Sequence, residues 1–168
     1  MRVENVIREA QPADEDAVAR LITAYLTWAH DILRRDFGVE EPPVDVADVR
    51  ATVSQLHRPA AATFLVERDG RAVGVGAVRG LGTDAAEIKR MYVEPAVRGD
   101  HLGSRILDRL IETARDAGAS VVRLDTCEFM TDAQRLYRSR GFVERDPYEG
   151  TEIPERRRRY WLFFERPL

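Results

Sequence analysis

A strand-like segment, Met91-Tyr92-Val93-Glu94-Pro95, leads into the glycine-bearing turn Arg98-Gly99-Asp100-His101-Leu102-Gly103-Ser104, and a helical pattern follows. A turn that leaves a strand and enters a helix exposes backbone N–H groups that the helix cannot satisfy. The helix dipole adds partial positive charge at the same place. Two interpretations of the turn are open: it binds an anion such as pyrophosphate, or it binds nothing. Arg98 either pairs with a phosphate or caps the loop.

The glycine spacing narrows the kind of anion site. Gly99 and Gly103 permit close backbone approach and positive φ. No Gly-Lys-Ser/Thr follows, so the turn is not a P-loop, and the three-glycine spacing of a dinucleotide fingerprint is absent.

The elements on either side of this turn predict the fold class. Asp69-Gly70 between two β-prone runs predicts a type I′ hairpin. Apolar spacing predicts a first helix over about residues 13–33 and a second from Val46 to Leu56, ended by Pro59. Later signals are a helix ended by Gly118 and a capping box of Thr131 with Gln134. The order β-α-α-β-β-β-α-β-α-β-β predicts an α/β (α+β) fold with one mixed sheet and helices on its faces.

Composition limits the classes of function. The chain has 168 residues, a net charge of −3 and one cysteine, Cys127. We expect a single domain over 1–168 in a reducing, cytoplasmic setting, with neither a nucleic-acid nor a membrane partner. Lys89 is the only lysine among 26 basic residues.

Over nearly its whole length the chain resembles the GNAT family of N-acetyltransferases. Three connected pieces carry the resemblance. The first is the strand and loop quoted above, whose loop is similar to the family's (Arg/Gln)-x-x-Gly-x-(Gly/Ala) motif. The second is the helix to Gly118 with the strand at 121–125. The third is the segment Ala133-x-x-Leu136-Tyr137-x-x-x-Gly141-Phe142, which is similar to the family's final helix and turn. The resemblance implies a mostly antiparallel sheet of six to seven strands with about four helices, splayed between strands 4 and 5.

The resemblance also implies a co-substrate, acetyl-CoA, and no metal. The loop amides of Arg98, Gly99, Asp100, His101, Leu102, Gly103 and Ser104 would hold the CoA pyrophosphate. The backbone of Met91, Tyr92 and Val93 would bind the pantetheine arm as an added strand would. His101 departs from the family pattern, which has glycine at that position, and Met130 stands where many members have asparagine.

Two side chains are candidates for the proton transfers that acyl transfer needs. By resemblance, Tyr137 is the general acid for the leaving thiolate; the alternative is a core tyrosine. Glu87 is the candidate base; the alternatives are a pair with an arginine or a ligand of the acceptor amine. Glu87, Lys89, Met91 and Val93 share one strand face if no bulge intervenes.

The acceptor is expected to be an amine of a small molecule or peptide, contacted by Tyr25 and Trp28 and by the last hairpin with Tyr148. The chain is expected to be a monomer or a homodimer. An acyl-CoA-binding sensor or partner domain without catalysis is the alternative function. Cys127 is expected to be a buried thiol rather than an acyl-enzyme nucleophile. The pair His30-Asp31 is too isolated to form a metal site. The arginines at 156–159 are expected to lie in a solvated loop.

Overall fold

A computed structural model describes residues 4–55 and 61–168. Within these residues the strands are β1 (Asn5–Glu9), β2 (Ala61–Arg68), β3 (Arg71–Leu81), β4 (Ala85–Val93), β5 (Val121–Cys127), β6 (Val143–Arg145) and β7 (Trp161–Pro167). The α-helices are α1 (Glu15–Phe37), α2 (Val46–Gln55), α3 (Leu102–Asp116) and α4 (Thr131–Ser139). Short 3₁₀ helices occupy Pro12–Asp14, Pro95–Val97 and Glu155–Tyr160. The predicted order of strands and α-helices is confirmed.

The strands form a sheet in the order β1-β2-β3-β4-β5-β7-β6. β1 and β2, β5 and β7, and β6 and β7 pair antiparallel, whereas β4 and β5 pair parallel. The predicted mixed, mostly antiparallel sheet is therefore confirmed. The parallel register runs from Ala85 opposite Val121 to Glu87 opposite Arg123, although β4 continues to Val93. Pairing over the first residues of the two strands, with β4 continuing beyond it, is the arrangement that the predicted splay between strands 4 and 5 requires.

The hairpin between β2 and β3 follows directly from its turn residues. Asp69 and Gly70 both have positive φ, at 50° and 78°. A type I′ turn needs this conformation at both central positions, and it matches the twist of the flanking strands. The predicted hairpin is confirmed.

One compact unit comprises residues 1–77 and 90–110. Its core packs the apolar face of α1 on α2 and on the central strands, with Val18, Leu21, Ile22, Val53, Leu65 and Val75 almost fully buried. α1 continues past the predicted end near residue 33 to Phe37, where left-handed Gly38, with φ of 62°, stops it. Leu56 and Pro59, the predicted end of the second helix, lie outside the described residues.

The other compact unit comprises residues 78–89 and 111–168. Gly118 and Gly141 are left-handed, at φ of 86° and 81°, as C′ glycines should be after a helix. The predicted capping box is wrong. Met130 is the N-cap of α4, and Gln134 is buried and donates through Nε2 to the carbonyls that close β5, at 3.2 and 3.0 Å. The glutamine thus satisfies strand-end carbonyls rather than a helix N–H.

Candidate functional site

The turn between β4 and α3 contains two residues with positive φ. Gly99 adopts φ of 102°, and His101 adopts a left-handed φ of 57°. His101 then serves as N-cap of α3, since its carbonyl accepts the Arg105 N–H at 3.0 Å. Gly103 is the second residue of α3 and does not use the positive φ that glycine permits. Positive φ is unfavourable for residues that carry a side chain, so the backbone just before α3 has an uncommon conformation. The amides of the first turn of α3 come directly after it, and they have no partner within the helix.

Arg98 caps the turn in this structure. Its Nε donates to the Val93 carbonyl at 3.1 Å. The guanidinium lies over the rings of Trp28 and Tyr92, at 5.6 and 6.0 Å from their centroids. Of the two predicted uses of Arg98, the structure therefore has the cap, strengthened by cation–π contacts.

The carboxylate in the turn is neutralised locally. Asp100 forms an ion pair with Arg68 of β2. Arg68 also donates through Nε to the Asn5 side chain at 3.1 Å, and Arg105 of α3 donates to the Asn5 carbonyl at 3.3 Å. Because Arg68 offsets the charge of Asp100, an acidic residue here is compatible with an anion at the turn.

The acceptor candidates on α1 lie close to cofactor candidates on β4. The Tyr25 ring is 5.8 Å from the Tyr92 ring and 6.4 Å from Trp28, centroid to centroid. Tyr92 is buried, and that burial raises the pKa of its phenol. The structure therefore joins Tyr25, Trp28, Tyr92 and Arg98 in one aromatic cluster. Met91 and Val93 are half-buried on either side of Tyr92.

Glu87 is the most buried charged residue described in the chain, at 1% exposure. Arg79 donates to its Oε2 from Nε at 2.7 Å, and the Tyr148 hydroxyl donates to its Oε1 at 3.0 Å. The Lys89 ammonium lies 3.6 Å from Oε2. The predicted alternative in which Glu87 pairs with an arginine is thus present, and Tyr148 fixes the other oxygen.

The backbone of β4 changes which side chains share a face. Arg90 has a left-handed φ of 57° in the middle of the strand. A left-handed residue inside a strand is the mark of a bulge, which shifts the alternation by one. Glu87 and Lys89 face together, but the expectation that Met91 and Val93 continue that face does not hold, because its condition was an unbulged strand.

Tyr137 is buried on the inner face of α4. Its ring packs on Phe142 and Phe164, with centroids at 6.0 and 6.1 Å. Burial, and next the negative charge of Asp125, raise the pKa of its phenol well above the ordinary value. The hydroxyl therefore keeps its proton throughout the physiological range, as both a core tyrosine and a general acid would.

The sequence predicted an arginine partner for Glu87 as an alternative, but it did not indicate Tyr148 or Glu152. Tyr148 also reaches the Asp125 carboxylate at 3.4 Å, and burial with these two negative charges raises the pKa of its phenol. Glu152 forms ion pairs with Lys89 at 2.5 Å and Arg79 at 3.8 Å. The available signal was the spacing of Lys89, which lies two residues from Glu87 and therefore on the same face of the strand.

The remaining candidates fall outside this chemistry. Cys127 is buried and forms no disulfide, as expected. Residues 156–159 lie in the 3₁₀ helix Glu155–Tyr160, so the expected loop is locally helical. His30 contacts the Pro42 carbonyl at 3.3 Å, and the described part of the chain holds no group of three metal-ligating side chains. None of the helices within 4–55 and 61–168 has the length and apolarity to cross a bilayer.

Comparison with known proteins agrees with this arrangement. The profile of the Acetyltransferase (GNAT) family matches residues 26–142. The IAA acetyltransferase of Azospirillum brasilense is 36% identical over 67% of this chain and 72% of its own length. The amino-acid acetyltransferase of Mycobacterium tuberculosis is 34% identical over 88% of this chain and 72% of its own. The Salmonella typhimurium protein yncA, solved with acetyl-CoA, superposes with a TM-score of 0.70 at 22% identity, over 98% of this chain and 94% of that one.

Proposed function

Since the chain belongs to the GNAT family of acetyltransferases, we propose that it transfers an acetyl group directly from acetyl-CoA to an amine of a small molecule or peptide. The observation that carries the proposal is the turn of Gly99 and left-handed His101 at the start of α3. That turn presents several free amides and a positive dipole end to an anion.

The residues of the turn fit a pyrophosphate. A Cβ built on Gly99 would meet nothing within 4 Å, so the space above its backbone is open. Asp100 is paired with Arg68, and Arg98 holds the turn to the end of β4. We assign the pyrophosphate to the loop of residues 98–104, in which the Arg98 amide donates to the Pro95 carbonyl at 3.3 Å and the amides that follow it would meet the phosphates. We assign the pantetheine arm to the backbone of residues 91–93.

The reaction that we propose forms a C–N bond and breaks a C–S bond. The neutral amine attacks the thioester carbonyl, and its proton leaves through water to the Glu87 carboxylate. Tyr137 gives its proton to the departing thiolate, which becomes the CoA thiol. The raised pKa of Tyr137 supports this role because the phenol is protonated when the thiolate forms.

The Tyr137→Phe variant tests the assignment of the acid. We expect thiol release from acetyl-CoA, measured with a panel of amines, to fall by about 100-fold in kcat, with little change in the KM for acetyl-CoA. Tyr160→Phe is the matched control, because Tyr160 is a half-buried tyrosine of the same unit. Full activity of the Tyr137→Phe variant would exclude the acid role.

A non-catalytic acyl-CoA-binding domain is the second candidate. The burial of Glu87, at 1% exposure with Arg79 and Tyr148 each donating to one of its oxygens, favours it, since a base must be reached by the proton that it accepts. This function predicts that CoA raises the melting temperature while no amine in a broad panel is acetylated. Turnover of any amine at a rate sensitive to Glu87→Gln would support the transferase.

The chemistry of the relatives supports a small acceptor. The Mycobacterium tuberculosis relative acts, by its name, on amino acids. The aromatic cluster of Tyr25 and Trp28 would contact an apolar part of such an acceptor.

A further inference from the structure

We infer that the acceptor carries a carboxylate, which replaces Glu152 as the partner of Arg79 and Lys89. This inference rests on the proposed function, which supplies the acceptor amine. The contacts that it concerns are those of the acceptor's carboxylate, which are separate from those of the amine. The four side chains that matter are Arg79 of β3, Glu87 and Lys89 of β4, and Glu152 of the segment between β6 and β7. All four belong to the unit of residues 78–89 and 111–168.

The charges in this cluster call for an anion. Arg79 and Lys89 are both within reach of Glu87, and Lys89 is only 9% exposed in its side chain. Two cations and one carboxylate leave one positive charge to be compensated. A nearly buried ammonium needs an ionic partner, since desolvating a single charge without one is strongly unfavourable.

Glu152 supplies the compensating charge from an exposed position. Its side chain is 46% exposed, compared with 2% for Glu87, and it stands 2.5 Å from the Lys89 nitrogen. It is a side chain of a connecting segment rather than of a strand. Nearly half of the Glu152 side chain is already in solvent, so a carboxylate from solution can take its place beside Lys89 and leave the ammonium paired.

Arg79 gives the competing group a directional contact. Its Nε is engaged by Glu87 at 2.7 Å, whereas its Nη2 lies 3.8 Å from Glu152, which is beyond hydrogen-bond distance. The Arg79 side chain is one-third exposed. A ligand carboxylate can therefore bind the outer edge of Arg79 and the Lys89 ammonium together, close to the buried Glu87.

The test compares matched acids and amides. The full-length wild type, Glu152→Gln and Arg79→Gln are titrated calorimetrically with L-amino acids and dipeptides and with the primary amide of each. Thiol release from acetyl-CoA is measured with the same compounds. Glu155→Gln is the control, because it removes the same charge from the same segment at an exposed residue.

We expect the wild type to bind acids more tightly than amides. Glu152→Gln should raise acid affinity by roughly 10-fold and leave amide affinity unchanged, as expected when a competing charged contact is removed. Glu155→Gln should behave as the wild type, and Arg79→Gln should abolish the preference for acids. Because Arg79 contacts Glu87, Arg79→Gln also affects the binding of the amine. An acid and its amide carry the same amine, so that effect cancels in the ratio of their affinities. A preference for dipeptides over amino acids would identify a peptide C-terminus as the source of the carboxylate.

Equal acid-to-amide ratios in all four proteins, or the absence of binding of every acid, would overturn the inference. Acid-selective binding without thiol release from any compound would instead overturn the proposed transferase function and leave the carboxylate site standing. Thiol release with amides as readily as with acids, unaffected by Glu152→Gln, would support the transferase and refute the carboxylate site.

Discussion

His101 is strained in its present conformation, and replacing it with glycine should stabilise the protein. A residue with a Cβ at the φ of 57° found here is unfavourable by about 1–2 kcal/mol relative to right-handed backbone. Glycine removes that strain but adds about 0.5–1 kcal/mol of unfolded-state entropy. The net gain for His101→Gly is therefore about 0–1.5 kcal/mol, with a middle value of about 0.75 kcal/mol, or about 1.5–3 °C in melting temperature for a chain of this size.

The measurement is urea denaturation of the ligand-free protein, with His101→Ala as the matched control. Alanine loses the imidazole but keeps the Cβ, so it should show no gain. Glycine is also acceptable as an N-cap, so the bond from Arg105 to the residue 101 carbonyl should survive. A glycine variant no more stable than the alanine variant would refute the strain argument.

The same two variants separate strain from cofactor contact. If the loop amides hold the pyrophosphate, His101→Gly should keep its affinity for CoA, because the imidazole is exposed and contributes no backbone donor. A large loss of CoA affinity in both variants would mean that the imidazole itself binds the phosphates.

Two further results are expected in the other unit. Gly150→Ala should destabilise the protein by about 1–2 kcal/mol, because the φ of Gly150 is +85°. Gly82→Ala, at φ +72°, should destabilise it slightly less, because its Cβ meets nothing within 4 Å, whereas a Cβ at residue 150 would displace the end of the Leu81 side chain, whose Cδ1 lies at 2.8 Å. Urea midpoints of the two variants check this. The raised pKa of Tyr148 means that the folded chain keeps a proton that the unfolded chain releases near pH 10, so stability from this group is present below about pH 10 and declines above it. Tyr148→Phe should flatten that decline between about pH 9 and about pH 11, and an unchanged slope would contradict the burial argument.

Local signals in the sequence were sufficient for most of the fold. The Asp69-Gly70 turn and the glycines after α3 and α4 depend on φ values that few residues tolerate, so their positions could be predicted. The apolar stripe of α1 was clear, but its end at Gly38 was missed because the predicted helix stopped near residue 33. Thr131 resembled a capping residue only until Gln134 was seen to face β5.

The site was harder to predict because its contacts join distant parts of the chain. Glu87 and Tyr148 are 61 positions apart, and nothing in either local sequence indicates the other. The left-handed Arg90 has no sequence signal at all, because arginine rarely adopts that conformation. The loop motif could be predicted since its function lies in consecutive backbone amides, whereas the chemistry at Glu87 depends on side chains brought together by folding.

The single lysine gives this protein an unusual chemical surface. Amine-selective reagents, including an activated acyl donor, would meet arginines almost everywhere, and the one ε-amine is closed in by two carboxylates. A chain proposed to handle acetyl thioesters thereby presents little that it could modify on itself. The same arrangement makes Lys89 a single-position reporter: the rate at which it becomes acylated would register each opening of the segment that carries Glu152.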